Sequence, residues 1–337
     1  DNNTAVGKDS LKVNTTGEYN VAVGANALDA NTTATNNTAV GYNSLTANTT
    51  AGNNAAFGQV SLAANTTGTQ NTGLGSKALQ TNTTASNNTA VGYAALQLNT
   101  TGTNNVAIGS AALDANTTAS NNIGIGLSAA TNTTTGQQNI AIGTEALEAN
   151  ITGIYNIAIG TQALEKNTVA SNVAIGNAAM KENTTGQLNT AVGTSALDAN
   201  TTGNFNVAIG GSCLTSSVAA HNCVGVGHEA LANNTASLNT AVGKSALSAN
   251  TSGIENTAVG SSALVLNTTA HYNVAVGVYA LLNNTGAGNT ALGTRALQLN
   301  TTGTSNVAVG AFALDANTTA TNNTAVGYSA LTTNTTG

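Results

Sequence analysis

Apolar, small and polar residues recur along this chain with a period near seventeen, and one glycine marks the phase. It follows an apolar residue, which itself follows a very small one, as in Thr38-Ala39-Val40-Gly41. Numbered as position 0, this glycine falls at Gly7, Gly24, Gly41, Gly58 and onward to Gly310 and Gly327, twenty times in all. Sixteen of the nineteen intervals are 17 residues and three are 16. Position −1 is always apolar, −2 is Ala except at Gly73, Gly124 and Gly225, and −3 is Thr, Val or Ile except at Ala55. A β-branched and small segment ending in the glycine predicts one strand of about five residues per repeat. Strict recurrence predicts parallel stacking of those strands. The expected fold is therefore all-β: a parallel β-solenoid of about twenty 17-residue coils, a single uninterrupted array over 1–337. At ~4.8 Å per coil it would extend roughly 95 Å. A helix is disfavoured, because Asn, Thr and Gly punctuate every coil.

The remaining framework follows the glycine. Position +4 is Leu except at Ala130 and Met180, and +3 is always Ala, Ser or Cys. Asn stands at −4 except at Cys223, and at +7 except at Thr133 and Ser217. Asn tolerates left-handed turns and bonds neighbouring backbone. Stacked amides can also bond one another as a ladder. Asn37, Asn48, Asn54, Asn65, Gly41, Gly58, Val40 and Leu45 are the expected members of such stacked rows. Each 16-residue interval has lost one residue between the two Asn rows, in "NTVASN", "NTASLN" and "NTGAGN". That segment is therefore the adjustable turn, and the arc from −4 to +7 is framework.

Alternation in a strand puts −1 and −3 on one face and −2 on the other, and would set +3 and +4 opposite each other if extended. Neither face accepts large polar residues. One face is expected to line the coil interior, and the Ala row at Ala39, Ala56 and Ala90 to meet another closely approaching backbone. The apolar content per coil is small, so a packed partner is expected, with threefold self-association the natural closed form. No atypical terminal repeat is visible, which suggests a segment of a longer fibre.

Composition narrows the function classes. Charged residues are 6%, aromatics 3%, and the net charge of −6 includes no basic run, which argues against a nucleic-acid partner. No apolar stretch approaches the length of a membrane span. The charges fall at the variable positions after the glycine and before the next Asn row, together with Tyr42, Tyr93, Tyr279, Phe312 and Tyr328. Asp29, Asp114, Asp198 and Asp315 share one position but in separate coils, so they form no carboxylate pair. His221 and His228 lie near Cys223 without the tight spacing of a metal site. No Ser-His-Asp set, phosphate loop or dinucleotide fingerprint appears, so neither an enzyme nor a cofactor is expected. Cys213 and Cys223 fall within one period, open to a disulfide or to two buried thiols at small sites. The NTT segment creates N-x-[ST] acceptors, among them Asn14, Asn31, Asn48, Asn65 and Asn300, which read either as glycosylation sites or as turn residues. Rows of Thr15, Thr32 and Thr49 raise an ice-binding reading, although adjacent threonines would point oppositely in a strand.

The arc "N-[TV]-A-[VI]-G-x-x-[AS]-L" resembles the head repeats of trimeric autotransporter adhesins, the YadA-like left-handed β-roll, and is similar to repetitive shafts of bacteriophage tail fibres. The resemblance covers all twenty repeats. It implies left-handed coils in a homotrimeric extracellular fibre, on a cell surface or virion, used for attachment or display through a surface receptor or glycan. The 17-residue unit is longer than the adhesin-head unit, and no neck, stalk, anchor barrel or chaperone-like domain accompanies it. The competing readings are a ligand-binding solenoid for ice or glycans and a densely glycosylated filament.

Overall fold

Residues 2–335 are described by the computed structural model. The chain divides into two compact units, Asp1–Ser171 and Asn172–Gly337. Each is a parallel β-solenoid. The first unit carries ten three-residue strands, β1 (Thr4–Val6) through β10 (Ile157–Ile159), each paired in parallel with the next. Equivalent residues stand side by side, as Thr38, Ala39 and Val40 do with Ala55, Ala56 and Phe57. The second unit carries β11 (Val173–Ile175) through β20 (Thr324–Val326). Its register shortens to sixteen residues where Val224 meets Thr240 and Val274 meets Thr290.

The strands are three residues long rather than the expected five, because both ends leave the extended conformation. At one end Gly41 has φ 137°, a region closed to L side chains. At the other, the backbone N–H of Asn54 donates to the Asn37 side-chain oxygen (3.0 Å) instead of to a ladder carbonyl. Coil-to-coil backbone bonds nevertheless continue around the perimeter. Asn43 N donates to Ala25 O (3.0 Å), Leu45 N to Ser61 O (3.1 Å), Ala47 N to Ala63 O (3.0 Å) and Thr32 N to Thr49 O (3.0 Å).

The arc after the glycine is not extended. Ser44 N donates back to Gly41 O (3.3 Å) and Asn48 N to Leu45 O (3.1 Å), closing two consecutive turns. Asn43 and Leu45 take φ of 54° and 49°. Left-handed backbone costs a leucine about 1 to 2 kcal/mol. Full burial of its side chain returns about 1.5 to 3 kcal/mol. Burial prevails, and Leu45 is fully buried. The bend also corrects the expected alternation at +3 and +4: Ala95 and Leu96 both point inward with no exposure.

A second correction concerns the Ala row. Ala39, Ala56 and Ala90 are fully buried within the single chain, so they line the coil interior and are not an oligomer face. The interior between strand and arc is one methyl deep. A methyl added to Gly73 would stand 2.5 Å from Ser61 Oγ and 3.5 Å from Leu62 Cγ. Val or Ile at −1 and −3 therefore turns outward: Phe57, Leu74, Ile108 and Ile209 are exposed.

Two Asn rows complete the interior, and they bond differently. In the −4 row, Asn37 Nδ2 donates to Ala51 O (2.9 Å), tying the strand entry to the turn of its own coil. In the +7 row, Asn65 Nδ2 donates both to Asn48 Oδ1 of the preceding coil (3.1 Å) and to Gly68 O (2.9 Å). The 16-residue coils lose their residue between the +7 Asn and its carbonyl. Asn234 Nδ2 reaches Ala236 O at 2.6 Å, two residues on, where Asn65 reaches three residues on.

At Gly73 and Gly225, glycine replaces Ala at −2 next to an enlarged +3 residue of the preceding coil, Ser61 and Cys213. Cys213 Sγ occupies the space that a methyl on Gly225 would take. Gly225→Ala alone is expected to destabilise the second unit by about 1 to 3 kcal/mol through overpacking. Combined with Cys213→Ala it restores the Ala/Ala pair of Ala230 and Ala241, and urea denaturation should show the cost removed. A double variant no more stable than Gly225→Ala would refute this size exchange.

Candidate interaction surface

With the interior filled in nearly the same way in each coil, coil-specific chemistry lies outside: on two faces, and on the turn strip at −6 and −5, where Tyr19, Tyr155, Phe205 and Tyr272 are exposed. The first is the outward face of the strands, where −3 and −1 form two parallel rows. In the first unit it includes the consecutive strands Ile140–Ile142 and Ile157–Ile159, whose flanking isoleucines are half-buried around fully buried Ala141 and Ala158. It is apolar or Thr-bearing throughout and carries no charge.

The second face is built from +1, +2 and +5, on the outside of the turn arc. Here Asp29 accepts a bond from Thr46 Oγ1 (2.6 Å), and Gln162 Nε2 donates to Glu145 Oε2 (3.0 Å). Asp114 and Asp315 each keep one buried oxygen without a protein partner. Burial raises the pKa of both carboxyls, opposed by nearby Lys77 and Arg295 respectively. Burial also raises the Glu148 carboxyl, with Glu145 and Glu165 adding to it. Cation and ring pair twice on this face: Lys77 Nζ lies 5.5 Å from the Tyr93 ring centre, and the Arg295 guanidinium 5.7 Å from that of Phe312. Tyr42, Tyr93, Tyr279 and Tyr328 are exposed and Phe312 is half-buried.

Several expected sites are relocated. Asn31, Asn48, Asn65 and Asn300 are fully buried, and their amide nitrogens donate inward, as Asn300 Nδ2 does to Asn284 Oδ1 (2.7 Å). Asn14 is half-buried, with Nδ2 on Gly17 O (2.9 Å). A glycan needs that nitrogen free, so the folded coil closes these acceptors. Cys213 and Cys223 are both free and buried, and no disulfide joins them. Burial pushes the Cys213 thiol up to about 12, and it raises that of Cys223 as well. Cys223 takes over the role of its row: its thiol donates to Ala236 O (3.2 Å), as Asn37 does to Ala51 O.

In many coils the first Thr of the NTT segment is tied to the next coil, with Thr15 Oγ1 donating to Thr32 O (2.9 Å), while the second, such as Thr33, is exposed. His221 faces a different task from metal binding. Its Nδ1 accepts the backbone N–H of Asn204 (3.0 Å), and His271 Nδ1 does the same for Ile254 N (3.0 Å). Ser86 and Ser120 hydroxyls serve the same position for Thr69 and Thr103. This capping row at −6 was missed in the sequence, because Ser, Asn and His share only an acceptor atom and no recognisable motif.

Among the described residues no helix is long and apolar enough to cross a membrane. No protein-family model matches the chain, and no curated protein is significantly similar to it.

Proposed function

We propose that this chain is a structural, non-enzymatic fibre protein, an extracellular shaft on a cell surface or virion that assembles with copies of itself and serves attachment or display. The main support is the repeated interior: with few exceptions the coils fill it with the same Ala, Leu and Asn rows, leaving length and an outward surface as what the repeats multiply. The resemblance to adhesin heads and tail-fibre shafts adds left-handed winding and a threefold assembly to this reading. The uncharged strand face of −3 and −1 is the surface that such an assembly would bury, in place of the Ala row. Contiguous apolar surface on a water-exposed sheet is the usual mark of a protein contact.

Light scattering on the purified chain is expected to give a particle of three chains. Replacing Ile140, Ile142, Ile157 and Ile159 together by Asn should release single chains whose far-UV circular dichroism is unchanged, since these side chains point away from the coil interior. A wild-type chain that stays monomeric at high concentration would overturn the assembly.

A further inference from the structure

The chain holds a single arginine and ten Tyr or Phe residues (7 Tyr and 3 Phe). Four successive coils of the second unit bring that arginine together with three of the rings. Tyr279, Arg295 and Phe312 occupy +2 of three consecutive coils, and Tyr328 occupies +1 of the next. The Arg295 guanidinium lies 5.7 Å from the Phe312 ring centre, and Phe312 meets Tyr328 edge-on at 6.0 Å and 76°. Asp315, at +5 beside them, keeps a buried oxygen without a protein partner.

Tyr279, Arg295 and Phe312 all hold φ near 58°, where most coils place Ser, Asn or Ala. The left-handed backbone at +2 is common to every coil, so what sets this strip apart is the side chains that adjacent coils carry there. The same face of the same unit also carries a groove of about 380 Å³ three coils earlier, lined by hydroxyl residues such as Ser212, Thr215 and Ser248 around Glu229.

We propose that the strip Tyr279–Arg295–Phe312–Tyr328 binds a neutral polysaccharide chain laid along the coil axis. The exposed Tyr279 and Tyr328 rings, with half-buried Phe312 between them, offer surface to the C–H sides of pyranose units. The guanidinium supplies several fixed donors for vicinal hydroxyls. Ring-bearing coils repeat at ~4.8 Å, close to the advance of an extended pyranose chain per sugar. Neutrality follows from the charges. Arg295 is already opposed by Asp315 and stacked on Phe312, and a chain with net charge −6 repels polyanions. This inference concerns one face of the second unit and does not rest on how many chains assemble.

The whole chain, wild type, is titrated with cellohexaose, maltohexaose and laminarihexaose, read by tyrosine fluorescence and by saturation-transfer NMR. Binding of at least one hexasaccharide is expected. Phe312→Ala and Arg295→Ser should each weaken it roughly tenfold, the factor that one ring or cation contact represents. Both replacements already occur at +2, as Ala94 and Ser262, so the coil accepts them. Tyr42→Ser, in the first unit, should change nothing. The proposal fails if none of the three sugars binds at about 10 mM, if Phe312→Ala binds as wild type does, or if a hyaluronan hexasaccharide is preferred to all three. Light scattering on the same samples reports assembly separately, so failure of the fibre reading and failure of this one are distinguishable.

Discussion

Gly92→Ala should unfold much of the first unit. A methyl at that position would stand 2.5 Å from Gly109 O and 2.7 Å from Gly109 C, and φ is 133°. Neither coil can yield easily. Gly92 N is bonded to Leu74 O (2.8 Å) and Gly109 N to Val91 O (2.8 Å), which sets the spacing on both sides. Backbone strain of about 1 to 3 kcal/mol adds to overpacking of about 1 to 3 kcal/mol, so the expected loss is about 2 to 6 kcal/mol. Hydrogen exchange should show lost protection centred on the coils of Gly92 and Gly109, because a solenoid couples nearest neighbours.

Gly68→Ala is the matched control. A rigidly built methyl there would also overlap a neighbour, the Ala85 carbonyl. Yet Ala34, Ala51 and Ala85 carry a methyl at the same position. This is the turn that also accepts the 16-residue coils, and its backbone can move, so the variant should lose less than about 1 kcal/mol. Equal losses for Gly92→Ala and Gly68→Ala would mean that φ and coil spacing do not explain the invariant glycine.

The contrast between these two glycines shows what was legible in the sequence. Period, strand position and parallel register followed from the recurrence of Gly41 in every coil, with an apolar residue at the position of Val40 and, in nearly all, Asn at that of Asn37, because only stacked equivalent coils keep such residues equivalent. Facing was not legible. Alternation separates Ala39 from Thr38 and Val40 but does not say which set points inward, and apolarity favoured the wrong one. The decisive quantity is depth: one methyl fits between strand and arc, so the smallest residue goes in and Val40 goes out. The left-handed Leu45 was also illegible, since leucine ordinarily avoids that conformation and only its burial explains it. The cation–ring strip at Arg295 and Phe312 was visible only as scattered variable residues until stacking placed adjacent coils side by side. The Asn acceptors misled for a related reason. N-x-[ST] describes local sequence, whereas availability of Nδ2 depends on the coil before and the carbonyl after.

That dependence makes the +7 row the other place where one atom matters most. Asn65→Asp keeps the shape and removes the donor. Asn48 Oδ1 and Gly68 O would then face a carboxylate instead of an N–H, at a site with no exposure. Asn82 Nδ2, which donates to Asn65 Oδ1 at 2.9 Å, keeps its acceptor and is the only group there that still favours the change. Two unmet buried acceptors at about 1 to 3 kcal/mol each, with a charge to desolvate besides, set an expected loss of about 3 to 5 kcal/mol at pH 7. The pH dependence identifies the cause. Burial raises the folded pKa of the new carboxyl above its unfolded value of about 3.9. The folded state then holds the proton more tightly, so the penalty is smallest below that value and grows as pH rises toward the folded pKa. Thermal unfolding should therefore show the Asp variant closest to wild type near pH 3.5 and furthest from it at pH 7. Asn65→Thr should cost less and show no such trend, since the chain already contains that break at Thr133. There Asn150 Nδ2 approaches Thr133 Oγ1 at 3.5 Å and Asn116 Oδ1 is left without a partner, while the coils on either side keep their register. An Asp variant whose deficit is the same at both pH values would mean that shape, not the donated hydrogen bonds, is what the Asn row contributes.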